Sequence, residues 1–133
     1  MQRTSQLQTV GLKTRILLAE DHSDSRDALR ALLEAFGFEV LEAINGRQAV
    51  DVALAERPGL ILMDVMMPEM DGFEAIGKLR QSARTRATPI IVVTATDKEE
   101  EALAAGANAF LRKPVDIRKL IGLVNSCLTR KPM

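Results

Sequence analysis

Residues 60–72 read Leu60-Ile61-Leu62-Met63-Asp64-Val65-Met66-Met67-Pro68-Glu69-Met70-Asp71-Gly72. Four apolar residues end on an acid, a turn-like stretch follows, and then Phe73, Ile76 and Leu79 recur at helical spacing. A short apolar run bounded in this way suits a strand buried on both faces, as in a parallel sheet. The pattern predicts a strand over Leu60–Asp64 and a helix over Gly72–Arg84, with Asp71 as its cap.

The same cadence repeats on either side. Towards the N-terminus, a strand is expected over Arg15–Glu20 and a helix over Asp24–Phe36, with Ala28, Leu29, Leu32, Leu33 and Phe36 inward. Gly37 is the helix stop, because it tolerates a left-handed backbone. A strand over Phe38–Ala43, a turn at Asn45-Gly46 and a helix over Gln48–Glu56 follow, the last broken by Arg57-Pro58. Towards the C-terminus, Pro89 opens the β-branched strand Ile90–Thr94. Asp97, with Glu100 three residues on, resembles a capping box for a short helix reaching Gly106. A fifth strand spans Asn108–Leu111. The last helix spans Asp116–Leu128, with Ile117, Leu120, Ile121, Val124 and Leu128 inward. Five strands alternating with five helices imply an α/β, doubly wound parallel sheet covered on both faces by right-handed crossovers. Residues 1–13 are expected to form a flexible arm, 14–129 the domain and 130–133 a short tail.

Composition narrows the function. The 133 residues are 47% hydrophobic and 27% charged, with 18 basic and 18 acidic side chains. Zero net charge gives no general grip on nucleic acid or an anionic membrane. A single cysteine, Cys127, excludes an internal disulfide framework and a cysteine-based zinc site. No signal peptide or membrane-length apolar run is evident, so a reducing cytoplasm is expected. The chain has no G-x-x-x-x-G-K-[ST], G-x-G-x-x-G or G-x-S-x-G motif, which argues against an ATPase, a dehydrogenase and a serine hydrolase.

The polar residues cluster at strand ends. Glu20-Asp21 closes the first strand, Asp64 the third and Thr94 the fourth, and Lys113-Pro114 follows the fifth. Ligands of open parallel sheets bind beyond these carboxyl ends, where strand order reverses. If the first and third strands are neighbours, three carboxylates converge and need a counter-charge. A hard divalent cation supplies it; Mg²⁺ suits the set, and Mn²⁺ is the other acceptable ion. With the Thr94 hydroxyl and Lys113 ammonium, this makes a pocket for phosphoryl oxygens and leaves Asp64 as nucleophile.

From about Lys13 to Leu128 the chain resembles the receiver domain of bacterial response regulators. Asp64-Val-Met-Met-Pro-Glu-Met-Asp-Gly72 matches that family's D-x-x-M-P-x-M-D-G pattern, and Glu20-Asp21, Thr94-Ala95 and Lys113-Pro114 fall in order around it. The resemblance implies a flavodoxin-like fold with strand order 2-1-3-4-5. It implies that Asp64 is the phosphoacceptor, and that Asp21, Asp64 and the Met66 backbone carbonyl hold the metal, with Glu20 acting through water. Thr94, Ala95 and Lys113 would bind the phosphoryl group, Thr94 and Phe110 would form the switch, and Pro114 would follow a cis bond. The implied role is a single-domain switch in a two-component phosphorelay, fed by a histidine kinase or histidine phosphotransfer protein and signalling by protein contact. It would not be a turnover enzyme.

Three features depart from the family pattern. The stretch from Thr94 to Gly106 is about one helical turn short, roughly three residues, so the fourth helix is short or displaced. Val115 stands where phenylalanine is common, and Phe110 where tyrosine is common. Met66 cannot orient a water, which predicts slow self-dephosphorylation.

Alternatives are weaker. A phosphate-independent docking module would not need the intact acids, Thr94 and Lys113. A phosphohydrolase would need a second acid soon after the nucleophile, and Asp64-Val-Met offers none. The opening Met1 and short tail favour a stand-alone protein over a piece of a hybrid kinase. His22 is expected to be an exposed residue at the start of the first helix. The methionines are expected in core and site rim, and Lys78, Arg80, Arg84 and Arg86 on a solvated helix face.

Overall fold

The computed structural model describes residues 13–129; the expected N-terminal arm, apart from Lys13, and the tail lie outside the described residues. The elements alternate strictly: β1 (Arg15–Ala19), α1 (Ser23–Ala35), β2 (Glu39–Ala43), α2 (Gly46–Glu56), β3 (Leu60–Met63), α3 (Gly72–Gln81), β4 (Ile90–Thr94), α4 (Glu99–Ala105), β5 (Ala109–Arg112) and α5 (Ile117–Thr129). The strands form one parallel sheet in the order β2-β1-β3-β4-β5.

Alternation along the strands builds two cores. Leu17, Ala19, Ile61, Met63, Ile90 and Val92 face α2, α3 and α4, through Ala49, Ala53, Ile76, Leu79 and Ala102. Ile16, Leu18, Leu60, Leu62, Ile91 and Val93 face α1 and α5, through Leu29, Leu33, Leu120 and Val124. Because the central strands are covered on both sides, their sequences are continuous apolar runs.

Local chemistry fixes the helix ends. Asn45 caps α2, its side chain accepting from the Gln48 N–H at 2.8 Å, and Asp71 caps α3 by accepting from the Glu74 N–H at 3.0 Å. Gly37, at φ +94°, turns the chain out of α1.

Several expectations are corrected. Asp97 does not cap α4: Lys98 holds that position and makes no side-chain cap hydrogen bond. α4 itself is short, as the sequence predicts, with seven residues ending at Ala105 before Gly106. Ala28 lies beside the buried stripe of Leu29 and Leu33, and is exposed. Phe36 lies past the last turn of α1 and Ile117 at the first position of α5, and both are exposed. α3 stops at Gln81 rather than Arg84. The chain then folds back around Arg80, which is half-buried rather than solvated. Its guanidinium donates to the carbonyls of Thr85, Arg86, Thr88 and Gly106 and to Asn108 Oδ1. No carboxylate answers it among these bonds, and burial lowers its pKa.

Candidate functional site

The sheet order reverses between β1 and β3, so the loops leaving those two strands face each other across a crevice. The residues that follow the strands are held by the last bonds of the ladder. The Glu20 N–H donates to the Ala43 carbonyl, the Asp64 N–H to Ala19 and the Lys113 N–H to Thr94, at 3.0, 3.0 and 2.8 Å. Apolar strands thus carry polar side chains to one rim at fixed height.

Asp64 is 5% exposed and engaged on both oxygens. Oδ1 accepts from the Thr94 hydroxyl at 2.8 Å and from the Met66 N–H at 2.9 Å. Oδ2 accepts from Lys113 Nζ at 3.2 Å, and the same ammonium donates to Glu20 Oε1 at 2.5 Å. Glu20 is buried, and its Oε2 accepts from the His22 N–H at 3.1 Å. Burial by itself would raise the Glu20 carboxyl, but the hydrogen bonds from Lys113 and His22 outweigh it and hold its pKa below the ordinary value. Burial would likewise lower the Lys113 ammonium, but its bonds and attraction to Glu20 and Asp64 win and raise its pKa. One cation therefore serves two buried carboxylates.

Asp21 is the unsatisfied member. Its Oδ1 is buried and accepts no hydrogen bond, although His22 Nδ1 lies 3.3 Å away. Ligand atoms of Glu20, Asp21 and His22 all lie within 4.8 Å of one another. An orphaned carboxylate oxygen beside the Glu20 carboxylate is oxygen chemistry that suits a hard divalent cation; Asp64 lies outside this 4.8 Å group.

The remaining expected residues are nearby. Met66 is 56% exposed at the rim, and Ala95 is exposed just after β4. Phe110 is half-buried on β5, paired with Val92 and packed on the α2–α4 side of the sheet. The Lys113–Pro114 bond is cis. His22 is exposed at the α1 N-cap position, as expected, and its Nδ1 lies 3.3 Å from a carboxylate oxygen of each acid that precedes it.

Sequence reasoning missed Arg26. Its guanidinium donates to the backbone carbonyls of Glu20 and Asp21 at 2.9 and 3.4 Å, fastening the acidic pair from the end of the first turn of α1. A basic residue about one and a half turns beyond an acidic strand end was the available signal.

Residues 16–125 match the family model described as the response regulator receiver domain. Protein PilH of Pseudomonas aeruginosa is 39% identical over 117 residues, covering 86% of this chain and 97% of that protein. A protein of Leptolyngbya boryana known only by its mass and position is 44% identical over 121 residues, 88% of this chain and 92% of its own. Among solved structures, the receiver domain of a sensor histidine kinase from Pseudomonas aeruginosa superposes with a TM-score of 0.84 at 32% identity, covering 90% of this chain and all of that one; it holds a magnesium ion in its active-site cleft. Fold, rim and relatives agree: the chain belongs to the response regulator receiver domain family of two-component signalling.

Proposed function

We propose that this chain is a phosphorylation switch in which Asp64 accepts a phosphoryl group from a phosphohistidine on a histidine kinase or histidine phosphotransfer protein. The observation that carries the reading is the hydrogen bonding of Asp64. Oδ1 already accepts two bonds, from Thr94 and Met66, whereas Oδ2 accepts only that of Lys113 and keeps a lone pair for attack. In the transfer, an Oδ2–P bond forms as the donor's N–P bond breaks, and the donor imidazole leaves with the bonding pair. Asp64 is fixed before reaction by its three bonds, so little reorganisation is needed.

Glu20, Asp21, Asp64 and the Met66 carbonyl would hold Mg²⁺. When bound, the ion supplies positive charge that offsets the carboxylates and the phosphoryl oxygens. Lys113 supplies a second cation, and Thr94 and the Ala95 N–H would bond the remaining oxygens. The new group carries close to two negative charges. Thr94 then turns from Asp64 to the phosphoryl oxygens, leaving space for Phe110, and the surface of α4, β5 and α5 changes for a downstream protein partner. Water then attacks phosphorus, the Asp64 Oδ2–P bond breaks and inorganic phosphate leaves, which resets the switch; the chain acts as a signalling switch and not as an enzyme for a free substrate. The balanced net charge supports a protein partner over nucleic acid. No helix among the described residues is long and apolar enough to cross a membrane, in keeping with action in the cytoplasm.

Incubation with acetyl phosphate and Mg²⁺, read by intact-protein mass spectrometry, tests the reading. One phosphoryl group is expected, dependent on the ion and lost in Asp64→Asn. A protein that stays unmodified, even when its relatives are modified under the same conditions, refutes it and favours a docking module.

A further inference from the structure

Two glycines grip the loop that leaves Asp64, and only one belongs to the motif. At Gly72 a Cβ would lie 2.5 Å from Val65 Cα and 2.8 Å from the Asp64 carbonyl oxygen, while the Gly72 N–H donates to the Val65 carbonyl at 3.1 Å. The loop is thereby closed at its base. Its far side meets Gly46, the first residue of α2, where a Cβ would lie 1.9 Å from the Met70 carbonyl oxygen. Real Cβ contacts essentially never fall under 3.0 Å, so any side chain here drives backbone from backbone by about 1 Å. Neither glycine has a positive φ; what each position requires is space.

The loop is the partner that would yield. The start of α2 is fastened twice, by Asn45 Oδ1 to the Gln48 N–H and by Gln48 Oε1 to the Ile44 N–H. The loop instead holds Glu69 at φ +63°, inside a three-residue turn closed by the Met70 N–H on the Pro68 carbonyl. A non-glycine residue in that region is strained and persists only where its surroundings hold it. Met66, in the same loop, donates its N–H to Asp64 Oδ1.

We infer that Gly46 is a positioning residue of the phosphorylation site: by lacking a side chain, it lets the Val65–Gly72 loop seat against α2 and present Met66 to both Asp64 and the metal. This rests on the reading above that Met66 and Asp64 serve the cation. Residues acting at one remove from a metal commonly change its affinity by roughly 10- to 100-fold.

The test is an amide NMR titration of the full chain with Mg²⁺. In Gly46→Ala, the Met66 amide is expected to shift before any metal is added, and Mg²⁺ affinity to fall by about tenfold or more. Gly77→Ala, which adds a Cβ into open space on α3, and Leu33→Ala, which weakens the opposite core, are expected to keep the wild-type affinity. Wild-type affinity in Gly46→Ala, or an equal loss in Leu33→Ala, overturns the inference alone. A wild-type protein that binds no Mg²⁺ overturns the reading of the site, and the inference with it. If Gly46→Ala does not fold, the wild-type titration decides. Gly46 and Met70 amides moving in step with Met66 support the coupling, and their standing still refutes it.

Discussion

Replacing Lys113 with methionine keeps the length of the side chain and removes its charge. The ammonium lies 2.5 Å from Glu20 Oε1 and 3.2 Å from Asp64 Oδ2, with 21% of the lysine side chain exposed. At an effective dielectric constant near 20, such pairs attract by roughly 5–7 kcal/mol each. Much of that is cancelled by the cost of burying three charged groups. Removing one partner leaves that cost uncompensated, and the expected loss is about 2–4 kcal/mol at neutral pH without metal. The pH dependence follows from the direction of the shifts. The Glu20 pKa is lowered from 4.5, so its contribution is complete above 4.5 and fades as pH falls through the folded-state value. The Lys113 pKa is raised from 10.5, so its contribution is complete below 10.5 and fades only at higher pH. The wild-type advantage over Lys113→Met should therefore hold through neutrality and shrink below pH 4.5. Mg²⁺ at about 100 times its dissociation constant should return about 2.7 kcal/mol to any variant that still binds it. Urea unfolding followed by circular dichroism is the assay, since there is no Trp or Tyr to report by fluorescence. A variant as stable as wild type, or a difference that does not change between pH 4 and pH 7, refutes the ionic account.

Three further outcomes are expected. Arg80→Met removes five hydrogen bonds and should cost about 2–4 kcal/mol in the same assay; Arg80→Lys should not restore it, because an ammonium cannot span the same fan of acceptors. Asp71→Ala removes the α3 cap and should cost about 1 kcal/mol by urea unfolding. Met66→Asn places a polar side chain at the exposed rim of the site and should shorten the lifetime of the phosphorylated form several-fold, measured by mass spectrometry after removal of the donor.

What could be read from sequence was what depends on short range. β4 ends where its β-branched run ends, and the Asp71 cap was legible from the residue before the helical pattern. The central strands β1, β3 and β4 were legible because burial on both faces leaves a nearly uninterrupted apolar run. Glu20, Asp64 and Thr94 could be named because each directly follows or ends such a run, and Asp21 and Lys113 because they lie within two residues of a strand's apolar positions. The contacts between them could not: Lys113 reaches Glu20 across 93 positions, and only the sheet order brings them together. The surroundings of Arg80 are hidden in the sequence for the same reason. Its helical position suggests solvent, but its acceptors come from residues 85–108, which fold back over it. Asp97 failed as a cap because the spacing to Glu100 says nothing of where the chain turns after β4, and the helix begins at Glu99. The close approach at Gly46 has no sequence signature beyond a small residue after Asn45.

The central claim is that the phosphoryl group is carried by Asp64, and reductive trapping tests it most directly. After phosphorylation with Mg²⁺ present, borohydride reduces an aspartyl phosphate to homoserine, and peptide mass spectrometry locates the change. The account predicts homoserine at position 64 and nowhere else. Conversion at Asp21, a phosphoryl group retained on His22, or an unmodified Asp64 would contradict it.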